Sequence, residues 1–221
     1  MVSRLQELIE KSELAHADDP EERFTSSSIR WEIYEALLAK LEDNSHYRVT
    51  YLDGVLEIVS PSLRHEKLKK RLAALLETYL DERGFKYTPM GSTTFRNQLK
   101  KVGVEPDECY CIGEEKDIPN LAIEVIVTSG GINKLETYRR LGVAEVWFWE
   151  GNRLKLYHLR EEIPLVFQET YGYEEIETSE LLPELNISLL EECTLISDHT
   201  TAKRKFKQHI AGDEKPKSTD I

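Results

Sequence analysis

The spacing of apolar residues changes several times along the chain, and each change marks an expected element. In SSIRWEIYEALLAKLED, after a serine cap at Ser26 or Ser27, Ile29, Ile33, Ala36, Leu37 and Leu41 recur at helical spacing. HYRVTYLDGVLEIVSP then alternates on either side of Asp53-Gly54, a dipeptide suited to a type I′ turn, and predicts a β-hairpin. Pro61 suits the first turn of a following helix and Gly84 its end, with Leu68, Leu72, Leu75, Leu76 and Tyr79 along one apolar face. Two further strands are expected within residues 85–112, and LAIEVIVT reads as a buried strand. INKLETYRRLG predicts a short helix, while EVWFWE and RLKLYHLR predict strands joined at Gly151-Asn152. A peripheral strand and the segment LLPELNISLLEE complete the pattern. The fold class is therefore α/β of the mixed α+β kind, with a central mixed sheet of at least five strands flanked by helices.

At 221 residues the chain has room for one sizeable core, here assigned to residues 25–196. Residues 1–24 read as an acidic surface helix or arm, and 197–221 as a basic, disordered tail in which KRKFK is solvated. The chain carries 29 Lys/Arg against 41 Asp/Glu, a net charge of −12, which excludes nucleic-acid binding through a broadly basic surface. A local strip must then meet any phosphate backbone, with Arg64, Lys67, Arg71, Arg96, Lys100 and Lys101 as candidates. No apolar stretch approaches the roughly 20 residues of a membrane span, and the N-terminus is too charged for a signal peptide. Three cysteines, an odd number, agree with a reducing compartment, so a cytoplasmic location is expected.

One residue disturbs this apolar pattern. Glu124 lies within LAIEVIV, where an unpaired ionised carboxylate costs several kcal/mol. Glu57 in GVLEIVS and Asp107, after Pro106 and before ECYCI, occupy comparable positions. Carboxylates converging from neighbouring strands repel unless a cation lies among them, and hard oxygen donors favour Mg²⁺ or Mn²⁺.

The order Glu57, Pro106-Asp107, Glu124 resembles the PD-(D/E)XK restriction-endonuclease-like superfamily. DGVLEIVSPSLRH, EPDECY, LAIEVIVTSGG, the K-x-x-x-Y of Lys134 and Tyr138, GVAEVWFW and LLPELNISL are similar to one group of small chains within it. Where the superfamily carries a lysine two residues after the glutamate, this chain has Ile126; in the closer group the lysine stands on the next helix, and Lys134 occupies that place. The resemblance implies a nuclease in which Asp107, Glu124 and the Val125 carbonyl hold Mg²⁺ (or Mn²⁺). Glu57 would bind the ion through water or support a second one, and Lys134 would act on the attacking water. It implies nucleic acid, DNA above all, as substrate, and a homodimer as the assembly. His65 and Tyr138 are implied at the second shell of the ion or against phosphate.

Each of these residues also has a structural reading. Glu124 could pair with a core cation, Asp107 could form a turn after proline, Glu57 could face solvent on an edge strand, and Lys134 could pair with a neighbouring acid on its helix. His65 shares the inward face of Leu68 and Leu72 and could be a satisfied semi-buried histidine. Cys109 and Cys111 lack the second pair that a zinc site needs, and Trp147 and Trp149 are expected in the core. The alternative from another class is a nuclease-derived scaffold that binds a partner protein or nucleic acid without cutting it.

Overall fold

A computed structural model describes residues 21–41, 46–127, 131–162 and 165–212. Its elements run β1 (Glu22–Ser26), α1 (Trp31–Leu41), β2 (Arg48–Leu52), β3 (Val55–Ser60), α2 (Leu63–Glu82), β4 (Tyr87–Pro89), β5 (Phe95–Asn97), β6 (Val102–Val104) and β7 (Glu108–Ile112). They continue with β8 (Leu121–Ile126), α3 (Lys134–Leu141), β9 (Glu145–Glu150), β10 (Arg153–Leu159), β11 (Tyr173–Ile176), α4 (Ile187–Thr194) and α5 (His199–Gly212). The architecture is α+β, restriction-endonuclease-like, with strands in two sheets. One is antiparallel in the order β1-β3-β2-β6-β5; the other is mixed, β11-β10-β9-β8-β7-β4, with β8 and β9 its parallel pair.

The expected hairpin forms β2 and β3, and its turn has Asp53 at φ 46° and Gly54 at φ 85°, both in the left-handed region that a type I′ turn requires. Ser62 caps α2, its hydroxyl accepting from the His65 N–H at 3.2 Å, so Pro61 precedes the helix instead of entering its first turn. The helix expected from Ser26 or Ser27 begins only at Trp31, because residues 22–26 all pair with β3. That pairing also corrects the expected arm: Arg23 and Phe24 lie in a strand of the sheet. At the other end, part of the expected disordered tail is α5, whose Ala202, Phe206 and Ile210 close over α2 at the spacing of one helix face. Residues 1–20 and 213–221 lie outside the described residues.

Alternation along the strands sorts side chains into layers. Leu121, Ile123 and Val125 of β8, with Trp147 and Trp149 of β9, pack beneath α2, α4 and α5, which makes both tryptophans core as expected. The opposite face of the same strands presents Ala122, Val146 and Phe148 to Tyr138 of α3 and Val104 of β6. In the antiparallel sheet, Val49, Tyr51, Leu56 and Ile58 bury against α1. Thr50 and Glu57, paired across β2 and β3, therefore face the other way. A cleft of about 310 Å³ forms there, lined by Thr50 and Glu57 from one sheet and by Glu124, Phe148 and Glu150 from the other.

Candidate active site

Register alone brings two of the acids together. β7 and β8 pair with Glu108 opposite Ile123, so one further step sets Asp107 opposite Glu124 on the face that carries Ala122 and Phe148. Asp107 then replaces a backbone partner: its Oδ2 accepts the Val125 N–H at 2.8 Å. A strand residue directs its N–H and C=O to the same neighbour, so the Val125 carbonyl points past the end of β7 as well.

Both carboxylates are buried, Asp107 at 3% and Glu124 at 7% exposure, yet their surroundings drive them apart. Burial alone would raise the Asp107 carboxyl, but His65, the Val125 N–H and Lys134 hold it below its ordinary range. For Glu124, burial comes first and the Asp107 charge adds to it, so its carboxyl is pushed up in spite of Lys134. Two carboxylates sharing one low-dielectric site behave in this way, one ionised and one resisting ionisation.

Lys134 and Tyr138 complete the group. One helical turn apart on α3, they share a face. Lys134 Nζ lies 3.1 Å from Glu124 Oε1 and donates to Thr50 Oγ1 at 3.0 Å, so one ammonium joins the two sheets. The Tyr138 hydroxyl donates to the same Glu124 oxygen. Glu124 Oε2 keeps no hydrogen-bond partner among the described residues.

His65, at the start of α2, stands between two acids. Nδ1 is 3.0 Å from Glu21 Oε2 and Nε2 is 2.9 Å from Asp107 Oδ1. Burial would lower the imidazole pKa, but the two carboxylates raise it to about 9. The two carboxylates thus favour the protonated ring over the neutral imidazole.

Glu57 reaches the cleft but has other partners. Its Oε2 accepts from Arg23 Nη1 at 2.7 Å and from the Ile132 N–H at 3.1 Å. Among the described residues no three His, Cys, Asp or Glu side chains form a group that could hold one ion directly. The same holds for Cys109 and Cys111, both buried and free. Two opposed carboxylates, a carbonyl directed to the same edge and one unengaged carboxylate oxygen fit Mg²⁺, which takes one or two carboxylates and keeps several waters. They do not make a closed all-protein cage.

Chain order and this geometry agree with one comparison. The family described as "Uma2: Putative restriction endonuclease" matches residues 31–190. The chain belongs to the Uma2 family. No curated protein matches it. In this Uma2 chain Asp107, Glu124, Val125, Lys134, Tyr138 and His65 all fall within the matched segment and gather at one end of β7, β8 and α3. Glu21 and Arg23 lie before it and yet line the same cleft. Sequence reading missed both, because the alternation in ERFTS is short and follows a run of acids. Thr50 was missed too, since nothing in a hairpin strand marks the one threonine that meets a lysine from another sheet. Among the described residues no helix is long and apolar enough to cross a membrane.

Proposed function

We propose that the cleft hydrolyses phosphodiester bonds of DNA with Mg²⁺ or Mn²⁺ held by Asp107, Glu124 and the Val125 carbonyl. The observation that carries this reading is the ammonium of Lys134 at 3.1 Å from Glu124, in a cleft where Glu124 and Asp107 face each other. When bound, the cation would polarise a phosphoryl oxygen and lower the pKa of a coordinated water. The protein's own groups supply the rest. His65 and the Val125 N–H keep Asp107 ionised and fixed in direction. Tyr138 holds the Glu124 side chain by its Oε1 and leaves Oε2 toward the cleft. Lys134 sets a positive charge, already aligned by Thr50 and Glu124, where negative charge grows on the phosphate oxygens in the transition state. The Phe148 ring on the cleft wall helps to exclude water.

Incubating supercoiled plasmid with the purified protein and Mg²⁺ or Mn²⁺ tests this reading, with Glu124→Gln as the control for contaminating nuclease. Nicked or linear product that disappears in Glu124→Gln supports it. A homodimer bringing two clefts to one duplex would favour linear product. A second reading, a scaffold that binds without cutting, draws on the engagement of both Asp107 oxygens by His65 and Val125. Intact plasmid in both proteins, with retained DNA binding, would select it.

A further inference from the structure

Glu57 stands in the cleft as though it were a ligand, but its environment is built for another task. Its side chain is 1% exposed, and one oxygen receives both the Arg23 guanidinium and the Ile132 N–H. Ile132 is two residues before Lys134, the first residue of α3, with the Asn133 cap between them accepting from the Glu136 N–H. The backbone comes this close only because residue 131 is glycine. Its φ is +110°, which side-chain-bearing residues avoid, and a Cβ there would overlap both Glu57 Oε2 and Arg23 Nη1. Arg23 belongs to β1, outside the segment that matches the family, and Thr25 of the same strand pairs with Glu57 itself. One strand thus supplies a backbone neighbour for Glu57 and the guanidinium that pairs with its buried carboxylate.

We propose that Arg23, Glu57 and Gly131 form a clamp on the backbone leading into α3 that positions Lys134, with Glu57 acting as the acceptor of that clamp and not as a metal ligand. Glu57 is then a positioning residue, as is Arg23. The clamp acts on the backbone and not on the ammonium: Thr50 and Glu124 orient the ammonium, while Glu57 fixes the start of the helix that delivers it. A loosened helix start would leave the metal carboxylates, one just before β7 and one on β8, where they are. It would blur the placement of Lys134, and a misplacement of about 1 Å can cost on the order of a hundredfold in rate.

The inference rests on the proposed role of Lys134, and two readouts separate its failure from failure of that role. In full-length protein, amide hydrogen exchange at Ile132 and in the first turn of α3 is compared among wild type, Glu57→Gln, Arg23→Met and Gly131→Ala. Mg²⁺-induced melting shifts and plasmid cleavage rates are measured beside it. The expected result is Ile132 protection reduced about tenfold or more in Glu57→Gln and Gly131→Ala, the wild-type Mg²⁺ shift retained, and kcat lowered with KM little changed. Gly131→Ala keeps the test open if Arg23→Met, which strands a buried carboxylate, fails to fold. Loss of the Mg²⁺ shift in Glu57→Gln would make Glu57 a ligand and overturn the clamp. Unchanged Ile132 exchange in every folded variant would overturn it as well. If wild type cleaves nothing, the nuclease reading fails, and Ile132 exchange alone decides the clamp.

Discussion

Lys134 Nζ and Glu124 Oε1 lie 3.1 Å apart although the two residues stand on different elements, a helix and the strand before it. In the common superfamily arrangement that lysine sits on the strand itself, two residues after the acid. Here Ile126 holds that place on the strand, and α3 folds back so that its first residue meets the strand side chain. The lysine and the acid meet here through a helix and a strand instead of along one strand.

Removing the ammonium should separate catalysis from metal binding. Lys134→Met should keep the fold and the metal-induced rise in melting temperature, because the carboxylates are untouched. Cleavage should fall by roughly a hundredfold or more, the scale for loss of one preorganised electrostatic group. Single-turnover cleavage with purified variant measures it, and full activity would leave the site without its lysine.

The raised carboxyl of Glu124 makes a second prediction. Mg²⁺ or Mn²⁺ should raise the melting temperature of wild type by binding the folded state alone. Glu124→Gln should abolish that rise and leave the metal-free protein at least as stable, since burial and the Asp107 charge both oppose ionisation at this position. Thermal melts with and without the ions decide it; an undiminished rise in Glu124→Gln would remove Glu124 from the ligand set.

Acid should loosen the outer end of α3 through Glu136. Burial would raise this carboxyl, but Arg139 and Arg140, bonded to it at 2.6 to 2.8 Å, hold it below the ordinary carboxylate range. A folded pKa below the unfolded one, about 4.3, means stability present above that value and lost as pH falls through the folded pKa. Glu136→Gln should therefore be less stable than wild type at neutral pH, and the gap should close on acidification below about pH 4. Urea melts across pH 2–7 measure the gap, and one that stays constant contradicts the linkage.

The basic residues divide by what they already bind. Arg71 donates to the carbonyls of Thr194, Ile196 and Ser197, which ties α2 to the end of α4 and the residues after it. Arg71→Ala should lower stability by roughly 1–3 kcal/mol and leave the salt dependence of DNA binding unchanged. Lys100 and Lys101 are exposed and share a groove with Arg139 and Arg140 at the far end of α3 from Lys134, where the Lys100 ammonium donates to the Arg140 carbonyl at 2.6 Å. Replacing both lysines with alanine should make log K fall less steeply with log salt, by about 1 in slope for each phosphate that the pair neutralises. Binding titrations at several salt concentrations separate the two groups.

Much of this protein is legible in one dimension because periodicity is a local record of which face is buried. Alternation around Asp53-Gly54, the apolar face from Leu68 to Tyr79 and the run LAIEVIV set the hairpin, α2 and β8 nearly to their ends. A charged residue inside an apolar run was enough to single out Glu124, since burial without a partner is costly wherever the strand lies. Which partner it would find was not local. β1 escaped notice because a short strand declares itself only when its neighbour is known, and its partners on β3 are thirty or more residues away. Division into two sheets depended on short strands such as β5 and β6, of three residues each, whose pairing yields little signal on its own. The partners of Glu57 followed from both facts: Arg23 arrives on β1 and Ile132 from the loop before α3, and they meet at one oxygen only because two sheets close over the same cleft. Side-chain chemistry named the acids and the lysine, whereas tertiary contact, by deciding which charges neutralise one another, left Asp107 and Glu124 facing each other and gave Glu57 to the backbone of α3.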